Sequence, residues 1–367
     1  MVMLTRNANK KIIFAKTLKM MSYSLKTRLI CLSFYTCLLF TACTHNKKVD
    51  VSNIPVNVKI ERFDNDFDLL RTKPLTPHIA ALQKKYGVFY TDFVERIIKI
   101  GGTADTNYYK NLHDVFAGKA YTDLKHDVDA VYKNTDKQDA ELTDAFRRIK
   151  YYFPQKRLPK VYAYISGFQA QTSIGDGYFA IGLDLFLGAD SRFYPSLIET
   201  FPLYISRRFT PGNITPRVVE GIAREDMFPE DDKNTTLLSK MIYNGKIMYF
   251  MDQVLPDVPD STKIGYTNQQ IKWCADYKSN IWRFFLEENL LYESDYQKIQ
   301  KYLTEAPFTP GLGQDNESAP KLAIWTGWQI VKQYMEKHPN ITLPQLMAET
   351  DAQKILNEAK YRPKDDE

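Results

Sequence analysis

Met241-Ile242-Tyr243-Asn244-Gly245-Lys246-Ile247-Met248-Tyr249-Phe250-Met251-Asp252-Gln253-Val254-Leu255 decides the fold class, because wound at 3.6 residues per turn it is apolar on nearly every side. A helix without a polar stripe cannot lie at a surface and belongs in the middle of a core. Leu322 to Met335 has the same character and carries Trp325 and Trp328 three residues apart. Two such helices in one chain predict a mainly helical body built around them.

Outward from these helices the period changes. Ile79, Leu82 and Tyr86, then Phe93, Val94, Ile97 and Ile98 beyond Gly87, mark one or two amphipathic helices, and Leu142, Ala145, Phe146, Ile149 and Phe153 mark another. Val56-Asn57-Val58-Lys59-Ile60-Glu61-Arg62-Phe63 alternates apolar and polar residues, the period of a half-buried strand. Val161 to Ile165 and Tyr178 to Leu183 read as two more strands, separated by the turn signal Gly175-Asp176-Gly177. The expected class is α+β: mainly α-helical with a small sheet, and no internal repeat.

The first 42 residues carry Arg6, Lys10, Lys11, Lys16, Lys19, Lys26 and Arg28 and no acidic residue. Leu29 to Phe40 is mostly apolar, too short for a bilayer-spanning helix and suited to a signal-peptide core. Phe40-Thr41-Ala42-Cys43 then places a small-residue cleavage site directly before a cysteine, the pattern of a bacterial lipobox, although Leu39 stands one residue further out than usual. The organisation expected is a signal peptide at 1–42, a lipidated tether at 43–55 attached through Cys43, an N-terminal strand and helical region at 56–157, and a mainly helical region at 158–367 packed with it.

Cleavage removes seven basic and no acidic residues, so the formal net charge moves from +5 to −2. Such a body has no global electrostatic reason to seek nucleic acid. Cys31 and Cys37 leave with the signal and Cys43 is acylated, so Cys274 remains as a single thiol, read as a small buried hydrophobe.

The chain resembles the gliding motility lipoprotein GldB family of the Bacteroidetes. The likeness rests on Ile60-Glu61-Arg62-Phe63-Asp64, Ile165-Ser166-Gly167-Phe168, Ile181 to Gly188, Met241 to Lys246, Ala306-Pro307-Phe308 and Gly327 to Val331, in that order. It implies a palmitate-bearing, membrane-anchored lipoprotein of the cell envelope, working with other envelope proteins of the gliding and type IX secretion-linked machinery. Surface-exposed lipoproteins of these bacteria tend to carry acidic residues after the acylated cysteine. Here Thr44 to Asp50 holds Lys47 and Lys48, so a periplasm-facing body is expected.

A second likeness is to metallopeptidase cores of the zinc type that have lost their ligands. In those, a helix bearing H-E-x-x-H holds zinc between two histidines, with the glutamate as general base. Taking Ser196 to Phe209 as that helix puts Phe201 and Ile205 at the histidine places and Asn244 at the later acidic ligand, and predicts an apolar, dry space. The histidines are His45, His78, His113, His126 and His338, so none lies between 126 and 338. No metal and no cofactor are therefore expected.

Other chemistry has little support in the sequence. Glu230, Asp231 and Asp232 read as a solvated loop, and Glu287-Glu288 as a helix end. Ser166 lacks the G-x-S-x-G elbow, and Gly311-Leu312-Gly313 lacks the lysine of a phosphate loop. The 24 Tyr, 21 Phe and 4 Trp are read chiefly as core, with Glu199, Tyr204, Arg207 and Tyr334 as candidates to line a remaining cleft. The sequence thus predicts a non-catalytic binding or scaffold protein. The alternative is a cryptic peptide or peptidoglycan hydrolase using carboxylates such as Asp184 and Glu199.

Overall fold

The computed structural model describes residues 48–233, 235–313 and 317–364. The signal peptide and Cys43 lie outside the described residues. The chain divides into Met1–Val49 and a body, Asp50–Glu367, and only the body is described below. Val51 is already buried, so the tether gives way to packed structure before residue 55.

The body is mainly helical around a four-stranded sheet of order β1-β2-β4-β3, formed by Glu61–Arg62, Lys160–Tyr164, Thr172–Gly175 and Tyr178–Gly182 numbered along the chain. β1 and β4 each run parallel to β2, and β3 lies antiparallel to β4. The pleat sends alternate residues to opposite faces. Tyr162, Tyr164, Tyr178 and Ala180 enter one cluster with Phe63, Phe89 and Phe93, while Val161, Ala163, Phe179 and Ile181 enter the larger core on the other side. Strands buried on both faces read as continuous apolar runs, which explains Val161 to Ile165.

The division of the core therefore runs through the sheet. The helices Leu75–Tyr86 and Tyr108–Ala117 cover one face, whereas Asp136–Tyr152, although early in the chain, packs into the larger core with the C-terminal helices.

The expected strand over 56–63 is shortened to two residues. Upstream, the backbone is held by helix Asp136–Tyr152 instead of by a neighbouring strand. Thr143 Oγ1 accepts from Val58 N, Asp139 Oδ1 accepts from Ile60 N, and Arg147 Nε donates to Val56 O. The hairpin strand β3 was not foreseen, because Thr172–Gly175 has no buried face to give it a pattern. Gly175-Asp176-Gly177 is the turn between β3 and β4.

Both all-round apolar helices form, as Leu237–Val254 and Leu322–Lys337, and they lie at the centre of the larger core. Their backbones touch at glycines: a Cβ built on Gly245 would overlap the Gly327 carbonyl, and one on Gly327 would overlap the Met241 carbonyl. Trp328 is fully buried and donates from Nε1 to Asp252 Oδ2 at 2.7 Å, which ties the two helices by a polar contact as well.

The expected helix from Ser196 to Phe209 does not exist. A 3-10 turn at Tyr194–Leu197 and a single helical turn at Leu203–Ser206 replace it. Pro202 inside the span is the cause, since proline lacks a backbone donor and drives the preceding residue out of helical geometry. Phe201 packs edge-on against Phe209, with ring centroids 5.2 Å apart.

Candidate functional site

A cavity of about 520 Å³ opens where the Leu203–Phe209 segment, the helix Ile214–Gly221, the two central helices and the end of helix Asp260–Ile264 converge. Ile205 and Asn244, taken from the sequence as lost ligand positions, both line it, and Phe201 does not. The space is not the apolar one expected. Arg208, Arg217, Glu220, Arg224, Lys263, Glu305 and Lys321 stand in its wall beside Phe186, Phe209, Met248 and Ile264.

Helix Ile214–Gly221 continues through a π-helical segment, Ile222–Met227, which carries Arg224. Such segments widen a helix by one residue per turn and recur at functional sites. Gly221 lets this helix close on β4, because a Cβ there would press into the Phe179 ring. Its polar side faces the cavity: Arg224 Nε donates to Glu220 Oε1 at 2.8 Å, and Arg217 Nη1 donates to Glu220 Oε2 at 3.4 Å. Arg224 Nη1 also donates to Asn244 Oδ1 at 2.9 Å, which links the helix to the core.

Burial opposes ionisation of Glu220, but the Arg224 and Arg217 guanidiniums outweigh it and hold the carboxyl at about 2. Across the cavity, Glu305 Oε1 accepts from Lys321 Nζ at 2.6 Å and from Arg208 Nη1 at 3.1 Å. Lys321 also donates to Ile264 O at 2.7 Å. Desolvation pulls the Lys321 amine below its ordinary range, and Glu305 opposes that pull. Lys321 sits at φ 51° as the N-cap of helix Leu322–Lys337. The left-handed region is costly for a residue with a Cβ, so packing holds this lysine in place.

None of the four cleft residues read from the sequence lines this cavity. Glu199 is exposed in a turn. Tyr204 is half-buried, and its carbonyl accepts from Arg207 Nε. Arg207 is spent on Gly265 O and Gln270 Oε1. Tyr334 is buried with its ring 4.6 Å from that of His338. The residues missed were Arg208, Arg217, Glu220, Arg224, Glu305 and Lys321. Arg217, Glu220 and Arg224 recur at i, i+3 and i+7 among Val218, Val219, Ile222 and Ala223, a charged stripe on an otherwise apolar helix. That spacing was the available signal.

Asp184 is fully buried, and its carboxylate accepts from the Ser166 and Phe168 amides and from Ser166 Oγ. Gly167 and Phe168 both have positive φ there, so the carboxylate clamps a tight loop. This joins the sequence stretches Ile165–Phe168 and Ile181–Gly188 into one unit. Cys274 is free and buried, and burial raises its thiol well above the ordinary value. Among the described residues, no group of three or more His, Cys, Asp or Glu is placed to share a metal ion.

The profile of the family described as "Gliding motility protein GldB" matches residues 44–363. Comparison with curated proteins and with solved structures gives no match.

Proposed function

The chain belongs to the gliding motility protein GldB family, a family of cell-envelope lipoproteins, and we propose that it serves there as a non-catalytic binding or scaffold component. In this reading Cys43 carries the lipid, the body faces the periplasm, and the partners are other envelope proteins of the gliding and type IX secretion-linked machinery. No described helix is long and apolar enough to cross a membrane, which fits attachment by a lipid.

The observation that carries the non-catalytic reading is the state of Glu220. A general base works best with a pKa near the working pH. Glu220 is engaged on both oxygens by arginines and held at about 2. Val219 and Ala223 stand where an H-E-x-x-H pattern around Glu220 would place its two histidines, and both are fully buried. Among the described residues, arginines and no imidazole partner Glu220. Asp184, the other candidate carboxylate, is consumed by its loop.

The test is a measurement on the lipoprotein extracted from membranes in mild detergent. Proximity labelling in the envelope should recover motility or secretion components. Stoichiometric zinc together with chelator-sensitive cleavage of peptides or peptidoglycan would overturn the reading in favour of the hydrolase.

A further inference from the structure

We propose that the cavity lined by Asn244 and Lys321 is a receptor for a carboxylate carried on an apolar peptide segment. This ligand class rests on the binding role proposed above and adds to it. The charge count comes first. Lys263 is neutralised outside the cavity by Asp252 at 2.7 Å and Asp260 at 3.2 Å. That leaves four cations, Arg208, Arg217, Arg224 and Lys321, facing two carboxylates, Glu220 and Glu305, among the described lining residues.

Each acid is shared by two cations: Glu220 by Arg217 and Arg224, and Glu305 by Arg208 and Lys321. The cavity lining is therefore two negative charges short. Lys321 is buried, Arg208 and Arg224 are partly buried and Arg217 stands exposed at the rim, and cations drawn out of water without full compensation carry a cost that an entering anion relieves. The walls are also preset, because Lys321 is held in a left-handed conformation and Arg224 on a π-helical segment. The long helix Leu322–Lys337 begins at the cavity and adds the positive end of its dipole.

The apolar half of the lining selects among anions. Ile205 and Leu303, partly exposed in the wall beside the buried Phe186, Phe209, Met248 and Ile264, offer an apolar surface that a hydrated phosphate would leave uncovered but that apolar side chains of a peptide would cover. Guanidiniums pair with carboxylates in a planar, bidentate manner. A volume of about 520 Å³ is within the range of small-ligand pockets, enough for a few residues at the end of a chain. The carboxylate has two sources, a C-terminus or an acidic side chain.

The test titrates the full detergent-solubilised lipoprotein at low salt, followed by ligand-observed NMR. The probes are three equimolar sets of N-acetyl apolar tripeptides: free acids, C-terminal amides, and amides with one glutamate. Binding of the free acids, or of the glutamate amides, at least tenfold tighter than the plain amides supports the proposal and names the source. Arg217→Gln should weaken that binding about tenfold, and Glu305→Gln should strengthen it, with thermal midpoints confirming that both variants fold. Equal binding of acids and plain amides, absence of binding, or displacement by equimolar inorganic phosphate would overturn it. Cleavage of a bound peptide would instead fail the non-catalytic reading and leave the carboxylate site standing.

Discussion

Gly245 and Gly327 meet backbone to backbone where the two central helices cross, with no side chain between them. They stand in Met241–Lys246 and Gly327–Val331, two of the stretches by which the chain resembles its family. The contact explains why glycine, a poor helix former, stands mid-helix in both.

Gly245→Ala should therefore force the central helices apart. Overpacking a core costs about 1–3 kcal/mol, and the clash here is with a carbonyl of the opposite helix, which yields less readily than a flexible side chain. Gly212→Ala is the control, since a Cβ there meets only Thr210 Oγ1, at 4.0 Å. Thermal unfolding followed by circular dichroism should show a clear drop for the first variant and little for the second. Equal midpoints would remove the crossing from the account.

Trp328→Ala should cost about 3–5 kcal/mol, the usual loss for a large buried ring and the cavity it leaves. Trp328→Phe keeps much of the volume and loses the hydrogen bond to Asp252, worth about 1.5–3 kcal/mol for a charged partner. Chemical denaturation should rank the variants wild type, Phe, Ala. A Trp328→Ala protein with wild-type stability and lost motility would make this residue a binding group.

Acid stability should depend on Glu220. Its ordinary pKa of 4.5 falls to about 2 in the folded protein. A lowered folded pKa gives stability that is fully present above pH 4.5 and is lost as the pH falls towards 2. On that window the wild type should lose on the order of 2–3 kcal/mol more than Glu220→Gln. Parallel stability–pH curves for the two proteins would show that the arginine clamp contributes nothing.

Cys43→Ser should detach the protein. Acylation needs the thiol, and each buried methylene of the acyl chains contributes about 0.8 kcal/mol to anchoring. The variant should leave the membrane fraction or accumulate uncleaved, and radiolabelled palmitate should no longer be incorporated. Undiminished labelling would place the lipid elsewhere.

The sequence by itself determined the elements whose identity depends on local periodicity. Met241–Leu255 and Leu322–Met335 have no polar stripe, and both are central helices. Val161–Ile165 and Tyr178–Leu183 are apolar at successive positions, and both give strands buried on two faces. The short β1, the hairpin strand β3 and the broken segment at 196–209 were not legible, because tertiary hydrogen bonds and Pro202 overrode the local pattern. Apart from the charged stripe Arg217, Glu220 and Arg224, which helical spacing carries, the cavity belongs to the tertiary structure. Arg208, Glu220, Glu305 and Lys321 are far apart in sequence, and a lone charged residue there reads as solvated surface. Only the packing of the central helices through Gly245 and Gly327, and of the Ile214–Met227 segment on β4, brings these charges into one half-open cavity. There partial burial strengthens the pairing of residues that sequence alone reads as surface and makes them a cation-rich site.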